Sequence, residues 1–485
     1  MPVDTDQVLR LLSDSNPWWE TRKVPPELTQ PYRRRDFSVL RDGLRSRPII
    51  ALGGPRQVGK TTLLYQLIEH LLESGVDPLR ILFVSFDLPG LTAVAPNPLN
   101  DCLTVYAERV LETPLRKLKG NAFAFLDEVT KVTDWHRDLK GWFDFRYPLK
   151  FFVSSSSLPE LRSGVASSLA GRINSHLLLT WKFVDVLMKR TGEDGWNNTG
   201  LRLRDAIRSA IEAADPRIIV DRFGARDLTS TSARSELRST ADRYLLTDGF
   251  PELLDSPNLT WCARRLTEYL QLTLANDLYR FYQVRATRVF EELLGLVARE
   301  SGQLLSYRSL AETLGTQERT VIEYLDYLER THLVSQAQFF SESRAKRIRR
   351  QRKVYLTNPG LRNSILGALN RRTLSDAGLL GPLVEGLVHD HAKRLAYGLN
   401  PGPDPEAFYW RDRQNREVDI VIRISGKPLP IEVKYRTNPT RDLDGLKSFL
   451  QQVPAAPFGI VVTRDTLELK ENVAFLPLSR FLLAV

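Results

Sequence analysis

Cysteine is scarce: the 485 residues include only Cys102 and Cys262. Two cysteines cannot make a disulfide framework or, by themselves, a zinc cage. Both read as buried small hydrophobes in a reducing compartment. Long apolar runs are also missing, and no stretch approaches the roughly 18 uninterrupted apolar residues of a spanning helix. The start, Met1-Pro2-Val3-Asp4-Thr5-Asp6, lacks the basic-then-apolar order of a secretory signal. These absences point to a cytoplasmic protein without a membrane segment. No internal repeat or long low-complexity tract is visible, so each segment can be read alone.

What is present is globular in character. Hydrophobic residues make up 42% and charged residues 26%, well clear of disordered composition. At about 150 residues per domain the length suggests roughly three domains. Lys and Arg number 68 against 58 Asp and Glu, a net +10. That surplus favours anionic partners such as nucleic acid or acidic membrane and says nothing of fold.

The run 48–52 reads as a buried strand, followed by a Gly-rich turn and a helix from about Lys60. Further strands are expected at 81–86, 122–126 and 149–153, with helical stretches between them. The alternation predicts a mostly parallel α/β sheet to about residue 180. The turn is Gly54-Pro55-Arg56-Gln57-Val58-Gly59-Lys60-Thr61, a full G-x-x-x-x-G-K-[ST] match, continued by Thr62. Glycines let successive N–H groups and the helix N-terminus face phosphates. Lys60 would then reach the β- and γ-phosphates of ATP, and the Thr61 hydroxyl would join a Mg²⁺ shell.

The strand 122–126 ends in Asp127 and Glu128. There Asp127 could bind Mg²⁺, and Glu128 could orient or deprotonate an attacking water. Ser155, within Ser154-Ser155-Ser156, could touch the γ-phosphate or simply belong to a serine-rich turn. Arg172 could act as an arginine finger or be a surface arginine. A finger acting in trans would require a homo-oligomer, whereas a clamp-like monomer would not.

With these residues in place, the chain resembles prokaryotic AAA-type P-loop ATPases joined to a conserved C-terminal domain of unknown function. The resemblance is carried by Asn16-Pro17-Trp18-Trp19, the P-loop, and Leu126-Asp127-Glu128-Val129 followed by Asp134-Trp135 and Leu139-Lys140. Ser168-Leu169-Ala170-Gly171-Arg172 and Gly249-Phe250-Pro251-Glu252 extend it. Thr130 stands where the family often has Gln, and its usual Thr-Gly-Ser reads Ser154-Ser155-Ser156.

Residues 185–300 read as largely helical. Helices are then expected near 288–300, 306–314 and, capped by Thr316 after the Gly315 break, to about 331. Strands near 333–340 and 354–356 complete the order of a winged helix. Its hairpin tip, 341–353, holds Arg344, Lys346, Arg347, Arg349, Arg350, Arg352 and Lys353 against Glu342 alone. Clustered charge of this kind suits a DNA or RNA backbone, although a solvated loop or a protein-docking module has the same composition. Glu323 and Asp326 on the third helix would repel phosphate, so backbone or shape contacts are expected rather than base readout.

After a loop expected at 401–405, Glu417 to Ile424 and Leu429 to Tyr435 read as a hairpin turning on Ser425-Gly426. Pairing 424 with 427 places Asp419 opposite Glu432, with Lys434 on the same face. Opposed acids destabilise a sheet unless a cation lies between them. Asp…Glu-x-Lys looks like the PD-(D/E)xK nuclease motif. That likeness implies Asp419 and Glu432 as Mg²⁺ ligands, Lys434 as a catalytic group and Glu385 as an acid from a preceding helix. Lys434 could instead pair with Glu417, and Pro428 and Pro430 could bulge the strand.

The expected architecture is α/β multidomain: a P-loop NTPase parallel sheet (1–180), a helical lid or linker (181–284), a winged helix (285–360) and a restriction-endonuclease-like domain (361–485). The expected function is an ATP- and Mg²⁺-dependent ATPase that binds DNA and could cleave structured DNA. The alternatives are a regulatory switch whose last domain only binds, and a membrane-surface or protein-remodelling ATPase attached to acidic partners by the basic wing.

Overall fold

The computed structural model describes residues 3–247, 249–400, 406–436, 439 and 442–485. The loop expected at 401–405 lies outside the described residues. The chain divides into two compact units: Met1–Leu179 with Leu272–Gln283, and Thr180–Gln271 with Val284–Val485.

The first unit is built on five parallel strands, β1 (Ile49–Gly53), β2 (Ile81–Ser85), β3 (Ala122–Asp127), β4 (Leu149–Ser155) and β5 (Ile173–Leu177). Their order is β2-β3-β4-β1-β5. The four strands read from the sequence are apolar and almost wholly buried, as expected where helices cover both faces. β5 escaped that reading because Ile173-Asn174-Ser175-His176-Leu177 is a half-exposed edge without an apolar run. At the other edge, the Asn16 amide accepts from Phe83 N–H (2.6 Å) and donates to Phe83 O (2.8 Å). Trp18 and Trp19 both donate to Ile81 O, at 3.0 and 2.9 Å. The Asn-Pro-Trp-Trp run thus satisfies an exposed sheet edge that would otherwise invite pairing. Cys102 is fully buried in this unit's core, and its thiol is pushed up to about 12 by burial.

The second unit opens with helices such as Phe183–Thr191, Gly195–Ala213 and Thr231–Thr247, as the composition of 185–300 suggested. Helices Thr287–Arg299, Tyr307–Leu314 and Glu318–Arg330 follow. Gly315 breaks the second of these with φ +60°, but Gln317, not Thr316, precedes the third, and no side chain caps it. Val321, Leu325 and Leu328 form its buried stripe.

Nine strands among the described residues of this unit make one mixed sheet. They are β6 (Leu304–Leu305), β7 (Val334–Phe339), β8 (Arg352–Leu356), β9 (Ala407–Arg411), β10 (Glu417–Ile424), β11 (Lys427–Lys434), β12 (Gly459–Thr463), β13 (Glu468–Lys470) and β14 (Val473–Pro477). Their order is β13-β14-β12-β11-β10-β9-β7-β8-β6. The β7–β8 hairpin joins the C-terminal strands through Gln338↔Phe408 and Phe339↔Tyr409, so the sheet runs on across residue 360. β10 and β11 pair in the expected register, from Ile424↔Lys427 to Ile420↔Ile431, around Ser425 (φ +51°) and Gly426 (φ +80°). Pro428 and Pro430 cause no shift there, because the β11–β12 ladder begins only at Ile431. The irregularity lies on the other side of β10, between Val418 and Val421 where it pairs with β9.

Candidate functional site

In the first unit the P-loop joins β1 to the helix Lys60–Glu73. Gln57 and Gly59 take positive φ, +63° and +93°, and wind the loop so that its amides converge. A Cβ on Gly54 would lie 2.0 Å from Leu178 O, so only glycine fits there. Lys60 is buried and its ammonium donates to Gly54 O and Pro55 O, both at 3.0 Å. Burial lowers its pKa, and the charges of Glu128, Asp127 and Asp277 oppose that shift.

Thr61 Oγ1 donates to Asp127 Oδ2 at 2.8 Å, and Ser154 donates to Asp127 Oδ1. Burial raises the Asp127 pKa, and the Ser154 hydrogen bond opposes the rise. Glu128, at φ +53°, accepts from Ser156 N–H (3.0 Å) and Ser156 Oγ (2.9 Å). Hydroxyls and amides, which are neutral donors, therefore hold both acids. A Mg²⁺ ion fits this donor set: Thr61 and Asp127 offer two oxygens beside a phosphate-binding loop, and neither contacts a lysine ammonium.

One neighbour, Asp277, is not legible in the sequence. It lies in a π-helical segment, Thr273–Tyr279, and receives Arg56 bidentately, at 3.0 and 2.9 Å. Burial raises its pKa and the Arg56 bond lowers it. No local motif marks Asp277. The only available signal was an arginine inside the P-loop that needed an acid.

In the second unit the expected acids do meet. Glu385 comes from the helix Ala377–Leu399, Asp419 from β10 and Glu432 from β11. Asp419 Oδ2 accepts from Val433 N–H at 2.8 Å. Lys434 donates to Glu432 Oε1 at 2.7 Å rather than to Glu417. The unexpected member is Lys353, 3% exposed. Its ammonium lies 3.1 Å from Glu385 Oε1, 2.5 Å from Glu417 Oε1 and 3.9 Å from Asp419 Oδ1. Tyr355 donates to the same Glu385 oxygen at 2.8 Å.

This corrects the placement of Lys353 on an exposed wing. β8 begins at Arg352, and strand alternation turns Lys353 and Tyr355 inward together. Burial and the Asp419 charge push Glu385 up to about 7 and Glu432 up to about 8. Burial opposes charge on Lys353, but Tyr355, Glu385, Asp419 and Glu417 outweigh it and hold its pKa well above the ordinary value. A divalent ion does not fit this arrangement. Lys353 already lies between Glu385 and Asp419, and Lys434 engages Glu432. Two unit charges about 4 Å apart repel by roughly 4 kcal/mol at an effective dielectric of about 20, and a divalent ion would double that.

Residues 46–187 match the family model described as an AAA domain. They have an AAA-type, ATPase-like fold. Two models described as domains of unknown function, DUF8612 and DUF4143, match 238–372 and 380–481. The uncharacterized protein Rv2008c of Mycobacterium tuberculosis is 28% identical over 410 residues, covering 84% of this chain and 75% of its own. The uncharacterized protein MJ1637 of Methanocaldococcus jannaschii is 23% identical over 471 residues, covering 93% and 89%. Among solved structures, the Walker-type ATPase PABY2304 of Pyrococcus abyssi aligns at 16% identity with a TM-score of 0.42, over 71% of this chain and 98% of its own.

Around the AAA-type domain's nucleotide site, Pro55, Val58 and Thr62 lie in the loop or the first helical turn. Ser155 is fully buried and its hydroxyl pairs with Thr130 at 2.7 Å, while Ser154 and Ser156 hold the acids. Arg172 binds Asp144 through two bonds, at 2.7 and 3.1 Å. In the second unit, residues Arg344–Arg349 form a short helix rather than an open tip. Arg344, Lys346, Arg349 and Arg350 are exposed, and Arg347 and Arg352 are half-buried. Lys346 and Arg350 stand over the Phe339 ring, both at 5.4 Å. Glu323 and Asp326 are paired with Arg319 and Arg330, at 3.1 and 2.8 Å. No helix among the described residues is long and apolar enough to cross a membrane.

Proposed function

We propose that the chain binds and hydrolyses ATP and engages DNA, with nucleotide state governing that engagement. The observation that carries the ATP reading is the 2.8 Å bond between Thr61 and Asp127, which brings the P-loop and the strand-end acid to one point. Lys60 and the loop amides bind the phosphates. Glu128 holds a water for attack and takes up its proton. When bound, Mg²⁺ held by Thr61 and Asp127 neutralises phosphate charge. Lys60→Ala and Glu128→Gln should each abolish turnover in purified protein, and undiminished hydrolysis would sink the assignment.

The DNA reading rests on the exposed Arg344, Lys346, Arg349 and Arg350. A winged helix is supported by the order helix, β6, helix, helix, β7, β8, with β8 between its partners. A restriction-endonuclease-like domain is supported by Glu385, Asp419, Glu432 and Lys434 around the β10–β11 hairpin. The burial of Lys353 among these acids favours binding over cleavage in that domain. A panel of linear, single-stranded and junction DNA, assayed with and without ATP, tests both readings. Mg²⁺-dependent cutting that is lost in Asp419→Ala and Lys434→Ala would restore the cleavage reading.

A further inference from the structure

We propose that Lys353 is the resident cation of the second unit's acid cluster, holding the place between Glu385, Glu417 and Asp419 that a divalent ion would need. The cluster then takes no divalent ion while β8 is in place. The inference is independent of the ATP and DNA readings.

Several observations converge on it. The Lys353 backbone is paired on both sides, to Leu304 of β6 and to Ala337 of β7, so the strand cannot swing its side chain away alone. The side chain is 3% exposed and ends on three carboxylates from two different elements. Tyr355, two residues on and on the same face, supplies a second donor to Glu385. Gly302, at φ +86°, leaves room for that carboxylate, because a Cβ there would lie 3.2 Å from Glu385 Oε1. Lys434 meanwhile engages Glu432. A tethered ammonium can satisfy these acids as a metal would, but it supplies no open coordination position and no activated water. It also ties β8, and with it the basic stretch just before Lys353, to β10 and the helix Ala377–Leu399.

The test is equilibrium Mn²⁺ binding to the full nucleotide-free chain, followed by electron paramagnetic resonance. Wild type and Asp419→Asn should bind Mn²⁺ equally. Lys353→Met should gain one site, at least tenfold tighter than any in wild type and absent from Lys353→Met/Asp419→Asn. A wild-type site that Asp419→Asn removes would overturn the proposal. So would a folded Lys353→Met that gains nothing. If Lys353→Met does not fold, the wild-type comparison still decides, joined by amine labelling read by mass spectrometry. Lys353 should label at least tenfold more slowly than Lys346, with or without millimolar Mn²⁺. Comparable labelling, or labelling that Mn²⁺ accelerates, would refute it. Loss of ATP turnover or DNA binding leaves every one of these readouts unchanged.

Discussion

Two of the lysine–carboxylate clusters among the described residues, one in each unit, satisfy their charges in opposite ways. At the nucleotide site Lys60 is bound to backbone carbonyls, while Asp127 and Glu128 are held by threonine and serine groups and a backbone amide. Among the described residues no ammonium or guanidinium forms an ion pair with either acid, although Lys60 feels their charge. In the second unit Lys353 and Lys434 bind carboxylates directly. Neutral donors orient an acid and leave its charge available to an incoming cation, whereas a buried ammonium uses that charge up. The same residue types therefore leave two acids held by neutral donors in one place and make a closed ionic clamp in the other.

Losing either lysine should affect a different property of the protein. Lys60→Met should lower ATP turnover by about 10²–10³-fold or more, with little change in melting temperature. Lys353→Met should do the reverse, destabilising the second unit by about 3–5 kcal/mol as buried acids lose their partner. Calorimetry and a phosphate-release assay on both variants would show whether the roles divide this way. Next in size, Asp277→Asn should cost about 1.5–3 kcal/mol by weakening a buried charged pair. It should also alter affinity for a fluorescent ATP analogue, since Arg56 lies within the P-loop.

A smaller effect concerns pH. Glu432 and Glu385 are raised from 4.5 to about 8 and about 7. Between those values and 4.5 the folded chain keeps protons that the unfolded chain has released. The stability they contribute is complete below about 4.5 and is lost as pH rises through 7 and 8. Wild type should therefore lose more melting temperature between pH 5 and pH 8.5 than Glu432→Gln does; equal losses would contradict the raised value. The smallest stability change, within about 0.5 kcal/mol, is expected for Arg349→Ala/Arg350→Ala. That variant should nevertheless weaken DNA binding and flatten its salt dependence by about one unit per contact removed.

Much of the architecture was legible because its signals are local. The P-loop, the strand ending in Asp127 and Glu128, and the Ser425-Gly426 turn are each written within eight residues or fewer. The turn also set the hairpin register, which carried Asp419 to the side of Glu432. Legibility ended where side-chain direction depends on a distant strand. Ser155 reads like its neighbours, yet its hydroxyl pairs with Thr130 whereas theirs hold Asp127 and Glu128. Lys353 ends a basic run in sequence, although β8 begins one residue earlier and turns it inward. Asp277 lies more than two hundred residues from Arg56 and carries no motif.

Local patterns alone carry the chemistry on offer: a P-loop motif, strand-end acids, a basic stretch and an Asp…Glu-x-Lys hairpin. These follow from periodicity and turn chemistry, which act over a few residues. Tertiary structure alone decided which charges meet. Burial removes water as the default partner, so each buried acid must take the nearest donor that the fold supplies. For Asp127 the donors are the hydroxyls of Thr61 and Ser154, and for Glu385 they are the hydroxyl of Tyr355 and the ammonium of Lys353.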